Sequence, residues 1–320
     1  MRVLVTGGAG FIGSHVVDRL HSAGHEPLIF DRVSPAANGV APLPHVLGDV
    51  LDTTALRRAA HRCDAVIHLA AVADVTVAVS NPVDTYRTNV TGTHSMLKAT
   101  AAAGVGTVIY ASTVWVYGDV DGRGSVDEES PLPPVQEIYT ATKLAGEVCC
   151  VEQGGALGLA PVILRLGIPY GPRARPAGAV PRFVAAALSG QPISIAGDGF
   201  QSRPFVYVED VASGIVAALV SDATGRAYNL CPDNVSVSIR ELADVVRREV
   251  APVPVTHVKG RPADLRGGPI SAARAARELG WSATTPLSDG VRRYVRWVIE
   301  TAGTPTAAHA DRIGGSAANV

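Results

Sequence analysis

The chain has few cysteines, and their spacing excludes a zinc site and a disulfide framework. The four cysteines form no Cys-x-x-Cys pair and show no pattern of paired spacings. They are Cys63, Cys149, Cys150 and Cys231. The adjacent Cys149 and Cys150 are most simply two small residues on one helix of a protein in a reducing compartment. We therefore expect no metal site.

Charge of one sign is not in excess, and no long apolar run occurs. The 28 Lys and Arg residues balance 29 Asp and Glu residues, which leaves a formal net charge of −1. This balance indicates neither a nucleic acid nor an anionic membrane as a partner. No run approaches the roughly 18 apolar residues of a membrane span. The apolar stretch before the first glycines is shorter than the core of a signal peptide, so we expect a cytoplasmic globular protein.

Apolar residues are abundant, and they alternate between strand-like and helix-like patterns. With 47% hydrophobic residues, the 320-residue chain can bury a large core. Short continuous Val/Ile/Leu runs are typical of strands covered on both faces. We predict such strands at Arg2–Thr6, Pro27–Asp31, Ala65–Ala70, Thr107–Ala111 and Pro161–Leu166. The helix-like segments between them are Ile12–Ala23, Thr54–His61, Val83–Ala103 and Glu137–Glu152.

This alternation predicts an α/β fold with a doubly wound parallel sheet, the Rossmann architecture, and a smaller C-terminal substrate-binding lobe. Residues 1–166 form the predicted Rossmann domain. Residues 203–230 return to it, because Phe205–Val208 and Asp210–Val220 resemble one more strand–helix unit. Residues 167–202 and 231–300 form the predicted lobe, and residues 301–320 a flexible tail.

A glycine-rich turn lies between the first predicted strand and helix, in Thr6-Gly7-Gly8-Ala9-Gly10-Phe11-Ile12-Gly13. Gly7 permits a tight turn, Gly10 lets the backbone approach a diphosphate, and Gly13 lets the helix pack on the strand. The N–H groups and dipole at the helix start favour negative charge. The turn predicts a dinucleotide site, and the alternative is a glycine-rich turn without a ligand.

Two carboxylates follow neighbouring strands of this predicted sheet. Asp31 ends the second strand, where it can bind an adenosine ribose diol and repel a 2′-phosphate, which favours NAD over NADP. The neighbouring Arg32 favours NADP instead, because an arginine side chain can bind a 2′-phosphate. Asp49, followed by Val50, can reach the adenine edge or can be an ordinary turn carboxylate.

One of only three lysines, Lys143, follows Tyr139 by four residues on a predicted helix. This spacing puts a phenol and an ammonium on one helix face. A free phenol has a pKa of about 10. We expect the ammonium and an oxidised nicotinamide ring together to lower it towards neutrality, so that Tyr139 acts as a base. The alternative is an ordinary exposed pair. Thr113 ends a strand at the edge of the sheet where ligands bind, and can offer a hydroxyl partner for a substrate oxygen.

Taken in order, these motifs resemble the extended short-chain dehydrogenase/reductases, in particular the NAD-dependent sugar-nucleotide epimerase/dehydratase family and its UDP-glucose 4-epimerases. The resemblance runs from Met1 to about Trp297. Besides the glycine turn and Tyr139–Lys143, its marks are His68–Ala71, Asn89-Val90, Gly92-Thr93, Ser112–Gly118, Tyr170-Gly171-Pro172, Gly197–Gly199, Phe205–Asp210 and Leu279-Gly280-Trp281.

The resemblance implies roles for individual residues. Tyr139 is implied as the acid/base, Lys143 as its partner and a ribose ligand, and Thr113 as the hydroxyl at the substrate oxygen. The implied NAD-binding residues are Gly7, Gly10, Phe11, Ile12, Gly13, Asp31, Arg32, Asp49, Val50, Leu69, Ala70, Ala71, Asn89, Tyr139 and Lys143. The implied substrate-binding residues are Thr113, Tyr139, Arg203 and Arg261 at phosphate, Asp264 at ribose, and Gly268 at the sugar C2 substituent.

Three positions depart from the family pattern. The dehydratases follow their threonine with Asp-Glu, the acid and base for eliminating water, whereas this chain has Val114 and Trp115. Ile168 stands where the family commonly has Asn. The resemblance therefore implies an NAD-dependent C4 epimerase of a nucleotide-activated hexose, which dimerises through Val83–Ala103 and Glu137–Glu152. The alternatives are an NAD(P)H-dependent nucleotide-4-ketosugar reductase and a non-catalytic dinucleotide sensor.

Overall fold

The computed structural model describes residues 1–38, 42–120, 122–260 and 265–302. Strands and helices alternate regularly through the first half. Its strands are β1 (Arg2–Thr6), β2 (Glu26–Asp31), β3 (His45–Leu47), β4 (Ala65–His68), β5 (Thr107–Thr113) and β6 (Val162–Leu166). Its helices are α1 (Phe11–Ser22), α2 (Thr53–Ala60), α3 (Val75–Ser80), α4 (Pro82–Tyr86), α5 (Gly92–Ala102), α6 (Ile138–Val148) and α7 (Gly154–Ala156). Two π-helical turns, Arg87–Thr91 and Cys149–Gln153, join α4 to α5 and α6 to α7.

The second half contains shorter strands. They are β7 (Ile168–Tyr170), β8 (Ile193–Ala196), β9 (Ser202–Arg203), β10 (Phe205–Tyr207), β11 (Ala227–Leu230), β12 (Val237–Ser238) and β13 (Val255–Val258). The helices here are α8 (Ala179–Leu188), α9 (Val208–Val220), α10 (Ile239–Glu249), α11 (Ala273–Leu279) and α12 (Leu287–Ala302). None of the helices in the described ranges is long and apolar enough to cross a membrane.

A seven-stranded parallel sheet in the order β11-β6-β5-β4-β1-β2-β3 forms the centre of the fold. The strand order reverses between β1 and β4, which confirms the predicted doubly wound Rossmann architecture. The central strands are buried on both faces, as their uninterrupted apolar runs predict. Because all strands are parallel, the ends of β1, β2, β4 and β5 meet at one edge of the sheet.

The prediction that Phe205–Val208 returns to this sheet is wrong. β10 pairs with β7 in a separate two-stranded sheet, and β11 is the strand that extends the main sheet beside β6. The side chains of β10 explain the difference, since Phe205 and Tyr207 pack on Tyr170 in another apolar core.

That second core lies in the C-terminal part of the chain. It is built by α8, α10 and α12 with β8, and its buried side chains include Phe183, Ile195, Leu242 and Tyr294. The predicted tail begins inside α12, which continues to Ala302, so residues 301 and 302 are helical. Residues 303–320 lie outside the described part of the chain.

Candidate active site

The glycine turn between β1 and α1 is too crowded for side chains. Gly7 has a φ of +71°, and a Cβ there would lie 2.7 Å from the Ala70 backbone nitrogen. A Cβ on Gly13 would lie 2.1 Å from the Gly7 carbonyl oxygen. Gly10 precedes α1, and no side chain caps the helix. The first-turn N–H groups thus offer a site for an anion, and the turn fits a dinucleotide diphosphate.

Asp31 lies at the end of β2 and contacts this turn. Its carboxylate accepts a hydrogen bond from the Ala9 backbone N–H (N···Oδ2 3.1 Å). The exposed Arg32 lies 3.9 Å from the Asp49 carboxylate. Asp49 also accepts from the Leu51 N–H at 2.9 Å, so it is a turn carboxylate. Its contact with adenine stays a prediction.

Asn89 connects the segment after β4 to the helix that carries Tyr139. Its amide exchanges two hydrogen bonds with the Val72 backbone, at 2.8 and 3.0 Å, and donates to the Thr142 hydroxyl at 2.9 Å. The Leu69 N–H donates to the Thr6 carbonyl, which holds Leu69–Ala71 beside the glycine turn. The described contacts of the Asn89 side chain therefore hold the Val72 backbone and Thr142 of α6 in place beside the site.

Tyr139 and Thr113 meet at the edge of the sheet. Thr113 ends β5 and Tyr139 lies in the first turn of α6, which brings the Thr113 hydroxyl close enough to the phenol to affect its pKa. Burial raises the pKa of Tyr139 to about 12, and this shift is opposed by the Thr113 hydroxyl and by the positive charge of Arg175. With the protein's own groups alone, Tyr139 is a neutral phenol at neutral pH.

Lys143 lies one turn further along α6. Its ammonium donates to the Ala111 carbonyl (Nζ···O 2.7 Å) and lies 5.0 Å from the centroid of the Tyr110 ring. Burial lowers the pKa of Lys143 to about 8, and Cys150 and Glu147 partly offset this shift. Lys143 is not among the groups that shift the pKa of Tyr139. Our prediction that its ammonium and an oxidised nicotinamide ring together lower that pKa stays a prediction.

A buried polar network, which sequence reasoning missed, anchors these two elements. Glu147 accepts from the Ser112 hydroxyl and binds Arg165 of β6 through Nε (3.1 Å) and Nη2 (2.8 Å). Arg165 also donates to the Tyr117 hydroxyl at 2.9 Å, which donates to Asn229 of β11 at 2.8 Å. Two features of the sequence could have indicated the Glu147–Arg165 pair. They are an arginine inside a predicted buried strand and a glutamate four residues after Lys143.

A cavity that is partly open to solvent adjoins the residues that follow Thr113. Its lining includes Val114, Trp115 and Ile168, together with Arg203 and Gly268. The Arg203 guanidinium stacks on the Trp115 ring at 5.3 Å and donates to the Leu265 carbonyl at 2.8 Å. The predicted residues Arg203 and Gly268 thus lie on one cavity, next to the three positions that depart from the family pattern.

Gly268 is a constrained part of this lining. Its φ is +151°, and a Cβ there would lie 3.0 Å from the Cβ of Val120. The predicted residues Arg261 and Asp264 lie outside the described residues. Within the described ranges, no group of three or more His, Cys, Asp or Glu side chains is arranged to hold a metal ion.

Comparison with known proteins decides the family. The model of the NAD dependent epimerase/dehydratase family matches residues 3–231, which is more than half of the chain. The chain belongs to the NAD-dependent epimerase/dehydratase family. This agrees with the resemblance drawn from the motifs, and NAD is the cofactor of the family.

The relatives within this family carry out different reactions. The chain is 34% identical to a UDP-glucose 4-epimerase of Azospirillum brasilense, over 92% of this chain and 91% of that protein. It is 32% identical to a probable dTDP-glucose 4,6-dehydratase of Sinorhizobium fredii, over 94% of this chain and 93% of that protein. A solved structure of DesIV, a dTDP-glucose 4,6-dehydratase from Streptomyces venezuelae with NAD bound, superimposes with a TM-score of 0.87. DesIV is 32% identical, with 95% of this chain and 98% of DesIV covered. Family membership thus establishes NAD-dependent chemistry on nucleotide sugars, of the epimerase/dehydratase kind.

Proposed function

We propose that the protein is an NAD-dependent epimerase that inverts C4 of a nucleotide-activated hexose through a transient 4-keto intermediate. One observation carries the proposal. Thr113 and Tyr139 bring two hydroxyls together at the cofactor edge of the sheet, whereas the next two residues, Val114 and Trp115, hold no group that can transfer a proton. The site has an acid/base for one hydroxyl and none for eliminating water.

The glycine turn, the uncapped start of α1 and the carboxylate of Asp31 fit a dinucleotide. When bound, NAD supplies a hydride acceptor and later the donor. Asp31 favours NAD because a 2′-phosphate would meet its negative charge.

Tyr139 removes the proton from the sugar O4 and later returns it, while Thr113 donates a hydrogen bond to the same oxygen. The raised pKa of Tyr139 suits the return of the proton. For removal of the proton, a further positive charge must act on the phenol, as an oxidised nicotinamide ring does. Lys143 binds the nicotinamide ribose in the proposed complex and is held in place by Ala111.

Arg203 is proposed to bind the substrate diphosphate. Its guanidinium lies over the Trp115 ring, and a planar guanidinium can bind phosphate oxygens in a bidentate manner. The contact with Trp115 and the hydrogen bond to the Leu265 carbonyl limit the movement of the side chain, which reduces the entropy lost on binding.

Reduction of a nucleotide-4-ketosugar is the second candidate function. The observation that favours it is the exposed Arg32, whose guanidinium is only loosely paired with Asp49 at 3.9 Å and can therefore turn to a 2′-phosphate of NADPH. The reductase would use Tyr139 and Lys143 in the same way but would consume its cofactor.

A second copy of the chain is the proposed partner. Apolar side chains that are more than half exposed lie on α3, α4 and the helix continuing from α6: Val79, Val83, Tyr86, Val148 and Val151. α3 and α4 pack on α6, so these side chains belong to one region of the surface. Val83→Asp should convert a dimer into a monomer in analytical ultracentrifugation, and an unchanged sedimentation coefficient would oppose this interface.

Cytoplasmic localisation also stays a prediction.

Product analysis tests the function. The purified protein is incubated with each member of a C4-epimeric pair of nucleotide hexoses without added reductant, and the sugars are resolved by chromatography. We expect both members to reach the same equilibrium mixture, with NAD released from the protein on denaturation. Accumulation of a 4-keto-6-deoxy sugar would indicate a dehydratase, and turnover only of ketosugars with NADPH would indicate the reductase.

A further inference from the structure

The wall of the cavity formed by the residues that follow Thr113 is apolar. Val114 and Trp115 follow Thr113 directly, and Ile168 of β7 lines the same cavity. Val120 and Ile270 continue this wall on the described part of the lining. The polar side chains of that lining, Ser202 and Arg203, lie together on β9.

This wall belongs to a packed core. Val114, Val120 and Ile270 are each less than 5% exposed and join one apolar cluster, against which Trp115 and Leu144 pack. Leu144 follows Lys143, so the cluster reaches the catalytic helix. A hydroxyl facing these side chains would lose its hydrogen bonds to water and gain no partner from them, which weakens binding.

The part of the sugar that faces this wall is inferred from the place of the wall in the chain. Thr113 and Tyr139 hold O4 in the proposed reaction, and Val114 and Trp115 follow Thr113 directly, so in the proposed complex they are assigned to the carbons beside C4. Of the two neighbours, C5 carries the substituent that varies most among nucleotide sugars. That substituent is a hydroxymethyl group in hexoses, a carboxylate in uronates, a hydrogen in pentoses and a methyl group in 6-deoxyhexoses. Of these substituents, the methyl group gains the most from burial against an apolar wall.

We propose that the substrate is a nucleotide-activated 6-deoxyhexose, whose C6 methyl group packs against Val114, Trp115 and Ile168. The proposal rests on the proposed C4 chemistry and names the sugar class for it. An apolar pocket rejects an added hydroxyl by about 10²-fold at most. We therefore expect kcat/KM for the 6-deoxy sugar to exceed that for the matching hexose by about 10- to 100-fold.

The test compares four substrates with one nucleotide: a hexose, its 6-deoxy counterpart, the matching pentose and the matching uronate. The expected order of kcat/KM is 6-deoxyhexose, then pentose, then hexose, with the uronate last because its charge would be buried. Equal or higher kcat/KM for the hexose or the uronate overturns the proposal, while the C4 chemistry still stands. Dissociation constants are measured for the same four sugars by calorimetry, so that the preference is tested even if the protein inverts none of them.

A pair of variants tests the wall itself. Ile168→Asn supplies a polar partner for a hydroxyl and should reduce the preference for the 6-deoxy sugar at least five-fold. Ile168→Val keeps the wall apolar and should leave the preference unchanged. If both variants keep the full preference, or both lose it equally, Ile168 does not contact C6 and the proposed wall is wrong. If the protein reduces ketosugars instead of epimerising them, the proposed function fails, and the same four-way comparison with 4-ketosugars still tests the methyl wall.

Discussion

The buried ion pair between Glu147 and Arg165 provides a sharp test of how the site is held together. Both side chains are 7% exposed. Two hydrogen bonds join them, and Ser112 and Tyr117 contribute the remaining partners. Because Ser112 precedes Thr113 and Glu147 lies on α6, the pair connects the two elements that carry the reactive hydroxyls.

Removing one partner should cost at least as much as removing both. Arg165→Met leaves the Glu147 carboxylate buried with the Ser112 hydroxyl as its remaining hydrogen-bond partner, and a buried charge that has lost its ion-pair partner costs about 3–5 kcal/mol. That is a large share of a typical free energy of unfolding of about 5–15 kcal/mol. The double variant Glu147→Leu/Arg165→Met removes both charges, so it should lose no more than Arg165→Met alone.

Urea unfolding followed by far-ultraviolet circular dichroism measures these differences. The matched control is Arg226→Met, whose partner is Glu278 at 3.2 Å and whose own side chain is 62% exposed. Exposed pairs contribute about 0–1 kcal/mol, so the control should unfold almost as the parent does. A loss below about 1 kcal/mol in Arg165→Met, or a double variant that loses more than Arg165→Met alone, would refute this reasoning.

Further predictions concern the cofactor, the acid/base, the sugar and the pH. Tyr139→Phe should lower kcat by at least about 10²–10⁴-fold while NAD still binds, as fluorescence titration would report; activity within a few-fold of the parent would exclude Tyr139 from the chemistry. Asp31→Asn, which keeps the shape but not the charge, should weaken NAD more than NADP; an unchanged ratio of the two dissociation constants would assign the ribose to another group. Gly268→Tyr should exclude 2-acetamido sugars selectively, and Gly268→Ala controls for backbone strain at φ +151°; equal loss of both sugar classes in the tyrosine variant contradicts a gating role. Burial lowers the pKa of His68 to about 3, below its usual 6.5. As the pH falls below 6.5, the unfolded chain therefore takes up a proton before the folded protein does, and the free energy of unfolding should decrease by up to about 1.4 kcal/mol per pH unit. A free energy of unfolding that is unchanged between pH 7 and 5 would contradict this prediction.

The doubly wound sheet could be predicted from the sequence because its strands are short, apolar and separated by periodic helices. The failure at Phe205–Val208 has a physical cause. A three-residue apolar run suits any buried strand, and only its contact with Tyr170 decides which sheet it joins. Local pattern does not contain that long-range contact.

The site could be predicted in part, for a similar reason. Gly7, Asp31, Thr113 and Tyr139 lie at motif positions, and the parallel sheet brings them to one edge. The direction of the Tyr139 pKa shift could not be read from its spacing to Lys143. It depends on burial and on where the ammonium points, and the ammonium donates to Ala111.

The central claim, inversion at C4 by removal and return of one hydride, is tested most directly with a substrate that carries deuterium at C4. The substrate is mixed with an equal amount of the same sugar that has no deuterium and carries a different heavy isotope elsewhere, and the products are analysed by mass spectrometry and NMR. We predict that the C4 epimer keeps its deuterium at C4 in the same molecule, with no net consumption of NAD(P)H. Deuterium found at another carbon, in solvent or in the second sugar, or product formed only as NAD(P)H is consumed, would contradict it.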